Sequence, residues 1–153
     1  MAKDASTSPI RNSAARLLAV QAVYQMMTGG EEPGIVIPEF LAHRVGMEVD
    51  GEKMALPDES LFSEIVKGVN DNRDHLEGLI SANRIQREDA IAKPEPLLLS
   101  VLMCGGYELI GRQSTDFPII ISDYVEIAKA FFDGKEPGLV NGVLDAIRKV
   151  TRG

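Results

Sequence analysis

Residues 136–145 read Glu-Pro-Gly-Leu-Val-Asn-Gly-Val-Leu-Asp, and they follow the stretch 121–132, Ile-Ser-Asp-Tyr-Val-Glu-Ile-Ala-Lys-Ala-Phe-Phe. In both stretches apolar residues recur at the three- and four-residue spacing of an amphipathic helix. Asp133-Gly134 between them predicts a tight turn. No catalytic constellation accompanies the pair, which indicates an all-helical interaction module.

Composition indicates one soluble domain. The chain has 153 residues, of which 44% are hydrophobic and 25% charged, proportions typical of a globular protein with a real core. The N-terminus lacks the apolar segment of a signal peptide, and the single cysteine, Cys104, has no internal disulfide partner. We therefore expect a cytoplasmic protein without a membrane span.

The periodicity predicts seven helices and no strand of useful length. We expect helices at 9–28, 33–45, 62–80, 84–92, 94–112, 119–132 and 139–150, with a loop at 46–57. Residues 1–8 should form a flexible tail, and residues 9–153 a single all-α domain in two small sub-bundles of three and four helices. The first helix is apolar over most of its circumference, so it should be central.

The sequence predicts no enzyme, cofactor or metal site. It has no phosphate-binding glycine loop, nucleophile elbow or paired metal ligands. His43 and His75 lie among charged residues and should be surface histidines, and Cys104 lies in the most apolar helix as a small hydrophobe. We interpret Gly105-Gly106 in that helix as a site of close helix packing.

Two intervals hold local basic charge in a chain of net charge −7. The first is Lys3, Arg11 and Arg16, and the second is Arg84, Arg87 and Lys93. Either interval could be ordinary solvated surface charge. Alternatively the N-terminal interval is an RNA edge, with its cations on phosphates and Gln21 or Tyr24 near bases.

Five motifs in order resemble the NusB family of transcription antitermination factors. The opening helix is similar to the family's ARxxAxQALYQ, residues 62–69 to its F…LVxGV, and residues 106–109 to its AYEL. Residues 121–128 resemble INExVExA, and residues 139–145 resemble FVNGVLD. The insertion at 46–56 and the turn at 131–137 look like those of alphaproteobacterial members.

This resemblance implies a non-catalytic factor, monomeric or homodimeric, that pairs with the ribosomal protein NusE. Together they would bind boxA-type RNA and assemble an antitermination complex, with other factors, on RNA polymerase at rRNA operons. It implies an RNA edge at the N-terminus and first helix: Lys3, Arg11, Arg16, Gln21 and Tyr24. It implies a NusE surface at the last turn and helix start: Asp133, Lys135, Glu136 and Leu139.

The chain departs from the family where basic residues are expected. The arginine cluster before the first helix is reduced to Arg11 and Arg16, and Leu99 and Met103 stand where the fifth helix usually carries arginines. Leu139 either is a partly exposed contact or begins the core face of the last helix. Two alternatives therefore stay open: an adaptor that depends on its partner for RNA contact, and a detached RNA-recognition domain of an rRNA methyltransferase.

Overall fold

The computed structural model describes residues 8–44, 48–49, 52–53, 56–85 and 94–152. Within these ranges it contains seven α-helices and one two-stranded antiparallel ladder. The elements are α1 (Pro9–Gly29), α2 (Pro33–Arg44), β1 (Glu48–Val49), β2 (Glu52–Lys53), α3 (Glu59–Asp71), α4 (Arg73–Ile85), α5 (Pro96–Gly111), α6 (Phe117–Phe131) and α7 (Glu136–Arg152). The ladder lies where the sequence predicted a loop, with Glu48 opposite Lys53 and Val49 opposite Glu52. Among the described helices, none is both long and apolar enough to cross a bilayer.

The helices form the two expected sub-bundles. Helices α1, α2 and α3 pack against one another, and α4, α5, α6 and α7 form the second group. Contacts of α1 and α3 with α5 join the two groups, so α1 and α5 are central to the fold. Most of the predicted tail, residues 1–7, lies outside the described residues.

The predicted third helix is divided at Asn72, which the sequence analysis missed. Asn72 leaves the helical region at φ −116° and ψ 22°. Its side-chain amide donates to the carbonyl of Gly68 at 2.8 Å, the same oxygen that accepts its backbone N–H at 3.1 Å. An asparagine side chain that hydrogen-bonds a nearby backbone carbonyl competes with the backbone hydrogen bonds that would continue the helix. The short helix predicted at 84–92 falls mostly outside the described residues, and α4 instead begins at Arg73.

Close packing around α5 depends on Gly105, as its position in an apolar helix suggested. A β-carbon added there would lie 2.7 Å from the side chain of Leu144 on α7 and 3.2 Å from the ring of Tyr124 on α6. Such distances are too short for carbon atoms in van der Waals contact. Gly105 therefore permits α6 and α7 to approach α5, and Cys104 beside it is fully buried.

Candidate RNA and partner interfaces

Arg16 is inside the protein and does not reach the surface. Its side chain is 2% exposed. Its Nε donates to Oε2 of Glu108 at 2.8 Å, its Nη2 donates to Oε1 of Glu108 at 3.0 Å, and its Nη1 donates to Oδ2 of Asp123 at 2.8 Å. The prediction of Arg16 as an RNA contact assumed access to solvent, and that assumption is wrong. The guanidinium instead joins α1 to α5 and α6.

Electrostatics keeps this buried guanidinium charged. Burial alone would lower the pKa of Arg16, but the hydrogen bond and negative charge of Glu108 outweigh burial and raise it above its usual value. The hydroxyl of Tyr124 also donates to Glu108, at 2.6 Å, and burial followed by that carboxylate raises the pKa of Tyr124. Ser13 donates to Asp123 at 2.8 Å. Arg16 is therefore part of a polar network that holds three helices together.

Two features of the sequence indicate this network. Arg16 lies three, four and seven residues before Ala19, Val20 and Val23, all buried, so it shares the apolar face of α1. Glu108 lies within the most apolar helix of the chain and is 0% exposed. A charged residue on each of two central apolar helices predicts a buried pair.

Arg11 is held in a fixed position at the protein surface. Its Nε donates to the carbonyl of Leu56 and its Nη2 to the carbonyl of Pro57, both at 3.2 Å. The backbone carbonyl of Arg11 accepts from the N–H of Asp58 at 3.1 Å. Asp58 turns its carboxylate inward, where it caps α3 by accepting from the N–H of Leu61 at 3.0 Å. Both acceptors of the Arg11 side chain are thus uncharged, unlike those of Arg16.

Gln21 and Tyr24 lie together on the outer face of α1. They line a depression of 340 Å³ with Gln25, Thr28 and Phe40. Tyr24 is 40% exposed, more than expected from its place on the predicted apolar face.

The rim of this depression is acidic. The amide of Gln25 donates to Glu31 at 2.7 Å and to Glu39 at 3.1 Å. Between Arg16 and His43 the sequence has no basic residue. This surface disfavours phosphate and suits contact with the face or donor edge of a base.

Two of the four predicted partner residues lie on the turn between α6 and α7, and a third, Glu136, is the first residue of α7. Asp133 and Lys135 are exposed, and Glu136 is partly exposed. Leu139 is different, because it is 1% exposed and belongs to the core with Val143. Of the two alternatives for Leu139, the structure supports the core face, so its prediction as an exposed contact is wrong.

Phe131 is an apolar residue on this turn that the sequence analysis did not select. It is the last residue of α6 and is 36% exposed, whereas the neighbouring Phe132 packs against the core. Two consecutive phenylalanines before Asp133 cannot both face the core of a helix end, so the sequence did indicate an exposed aromatic residue here. Phe131, Asp133 and Lys135 form what we call the turn surface.

The remaining candidates for chemistry are surface or core residues. His43 and His75 are exposed, as expected. Burial raises the pKa of the Cys104 thiol, which makes a reactive thiolate unfavourable. Among the described residues no group of three or more acidic, histidine or cysteine side chains could hold a metal ion. Arg84 of the second basic interval lines a groove of 680 Å³ at α4 and α5, while Arg87 and Lys93 lie outside the described residues.

Comparison with known proteins gives consistent results across sequence and structure. A protein of Sinorhizobium fredii named transcription antitermination protein NusB is 41% identical over 157 residues, covering 100% of this chain and 98% of the relative. A Rhizobium johnstonii protein of the same name is 40% identical with the same coverage.

Solved structures share the fold at lower identity. A crystal structure of the antitermination factors NusB and NusE in complex with double-stranded RNA matches at TM-score 0.73 and 22% identity, covering 90% of this chain and 96% of that one. The solution structure of NusB from Aquifex aeolicus matches at TM-score 0.70 and 22% identity, covering 91% and 88%. The sequence profile of the NusB family matches residues 13–149, nine-tenths of the chain, and this protein therefore belongs to the NusB family.

Proposed function

We propose that this protein is a transcription antitermination factor that pairs with ribosomal protein NusE and binds boxA-type RNA. Through these contacts it would help to assemble an antitermination complex on RNA polymerase at rRNA operons. The observation that carries the proposal is the full-length match, at 41% identity, to a relative named for transcription antitermination. Relatives matched over 98% of their own length bear that name, which favours this role over the methyltransferase-domain alternative.

The RNA edge in this proposal is the N-terminal end of α1, where Arg11 would contact phosphate. Lys3, the other cation assigned to phosphate, lies outside the described residues. Arg11 supports it because two uncharged carbonyls orient the guanidinium while no described residue forms an ion pair with it. The side-chain entropy normally lost on binding is therefore already reduced. Gln21 and Tyr24, further along α1, would contact bases.

RNA binding should depend on NusE because this chain is acidic overall and α1 brings only one surface arginine to the proposed RNA edge. The net charge is −7, and one of the two arginines of α1 is neutralised by the buried Glu108 and the partly exposed Asp123. A basic partner would supply the missing phosphate contacts.

NusE would bind the turn surface, where Phe131 provides an apolar anchor beside exposed charges. Aromatic side chains rimmed by polar residues are frequent hot spots of protein interfaces. In this proposal Phe131→Ala and Lys135→Glu weaken NusE binding without unfolding the protein. Lys149→Glu, an exposed lysine on another part of α7, is the matched control.

Titration of boxA-type RNA with and without NusE tests the function. We expect NusE to raise RNA affinity at least tenfold, about 1.4 kcal/mol of coupling. Arg11→Gln should lower the salt dependence of the complex by about one phosphate contact. Tight, salt-insensitive RNA binding by the isolated chain would contradict the proposal of partner dependence, and no RNA binding even with NusE would contradict the function itself.

A further inference from the structure

Two exposed aliphatic residues are neighbours of Arg11, one in sequence and one through a hydrogen bond to its backbone carbonyl. Ile10 is 68% exposed and precedes Arg11 in the first turn of α1. Leu56 is 44% exposed, and its own carbonyl accepts the Nε–H of Arg11. These are two of the few large apolar residues that the described part of the chain leaves in solvent. Their proximity to one oriented cation is what requires an explanation.

Three hydrogen bonds hold these residues in place. The backbone bond from Asp58 to Arg11 and the two side-chain bonds from Arg11 fix residues 56–58 against the start of α1. The carboxylate of Asp58 is occupied in capping α3 and does not neutralise the cation. The surface therefore presents an oriented positive charge close to two exposed apolar residues.

Single-stranded RNA matches this chemistry better than duplex RNA does. In a single strand the bases are unstacked, so their faces can rest on apolar side chains or on the plane of a guanidinium while phosphate meets the charge. In a duplex the base faces are stacked and only phosphate would be available to Arg11. Aliphatic residues beside the cation would then contribute nothing.

We infer that Ile10 and Leu56 are RNA-contact residues that pack against unpaired bases next to Arg11. The inference rests on the proposed function, since it extends the RNA edge of α1 to residue 56 at the start of the segment before α3. It assigns a role to two residues that carry no charge or hydrogen-bonding group in their side chains.

The test measures binding of single-stranded boxA-type RNA to complexes of NusE with Ile10→Ala, Leu56→Ala and the double variant. The matched control is Ile35→Ala, an aliphatic residue of α2 that is 58% exposed. We expect each single change to weaken RNA binding about three- to tenfold, the effect of losing a few apolar carbon contacts. Because no phosphate contact is removed, the salt dependence should stay as in wild type.

The outcomes separate this inference from the function on which it rests. If wild type binds RNA with an Arg11-dependent salt slope but Ile10→Ala and Leu56→Ala behave like Ile35→Ala, the inference alone is wrong. It is also wrong if these variants lose affinity for NusE instead of RNA, or if they weaken duplex RNA binding as much as single-stranded binding. Absence of RNA binding by the wild-type complex would overturn both proposals.

Discussion

Replacement of Arg16 by methionine should destabilise the protein strongly, because it leaves a carboxylate without its cation in the core. Both oxygens of Glu108 accept from Arg16, at 2.8 and 3.0 Å, and Glu108 is 0% exposed. After Arg16→Met, only the hydroxyl of Tyr124 and the guanidinium of Arg112, 3.4 Å away, remain near that carboxylate.

The magnitude follows from the cost of a buried charge that loses its main partner. Removing one partner of a buried ion pair typically costs about 3–5 kcal/mol. A domain of this size has a total stability of only about 5–15 kcal/mol, so the change removes a third or more of it in most of that range. Methionine fills much of the volume of arginine, so little of the loss should come from a cavity.

Urea unfolding followed by far-ultraviolet circular dichroism measures the effect. Arg16→Met with Glu108→Gln is the informative second variant, because an uncharged pair should recover most of the lost free energy. A loss of unfolding free energy below about 1 kcal/mol in Arg16→Met would refute the reasoning, since even an exposed ion pair can contribute that much to stability. RNA binding provides an independent check, because a buried Arg16 should not contribute to the salt dependence of the complex.

Four further substitutions test the packing and electrostatics. Leu139→Asp places a carboxylate in the core and should cost more than about 3 kcal/mol in urea unfolding; a fully folded variant that only loses NusE binding would restore Leu139 as a contact. In Gly68→Ala the added methyl group would overlap the ring of Tyr107, which should destabilise the protein by about 1–3 kcal/mol despite the better helix propensity of alanine. Gly78 has open space around it, so the control Gly78→Ala should be neutral or stabilising by up to about 1 kcal/mol. Burial and the nearby Glu64 carboxylate raise the pKa of Tyr107 to about 12. The fold favours the neutral phenol, so stability present below pH about 10 is lost as pH rises towards 12, and wild type should lose stability relative to Tyr107→Phe in that interval; parallel pH profiles would contradict it.

Helix positions were predictable because amphipathic periodicity is a local property. The pattern placed α5 and α6 to within a few residues and gave the all-α class. The same pattern continues through Asn72, so periodicity could not show the break there. That break comes from one side-chain bond to Gly68, which no hydrophobic pattern records.

The candidate site was less predictable because its residues are decided by distant contacts. Arg16 and Glu108 are 92 positions apart, so the apolar neighbours of Arg16 can indicate that it is buried but cannot identify the carboxylate that pairs with it. Leu139 illustrates the same limit, since a leucine at the start of an amphipathic helix can face the core or the solvent. Only the packing of α7 against α5 and α6 decides between them.

In the proposed function, the difference between the two arginines of α1 determines how this protein would bind RNA. They are five residues apart, but Arg16 meets two carboxylates whereas Arg11 meets two carbonyls. A carboxylate cancels the charge that a phosphate would need, while a carbonyl orients the guanidinium and leaves the charge available. Since the chain carries an overall charge of −7, one oriented arginine is too little to hold a phosphate backbone by itself. Apolar base contacts beside Arg11 and cations brought by a partner are the two remaining sources of affinity, and the salt dependence of the variants distinguishes them.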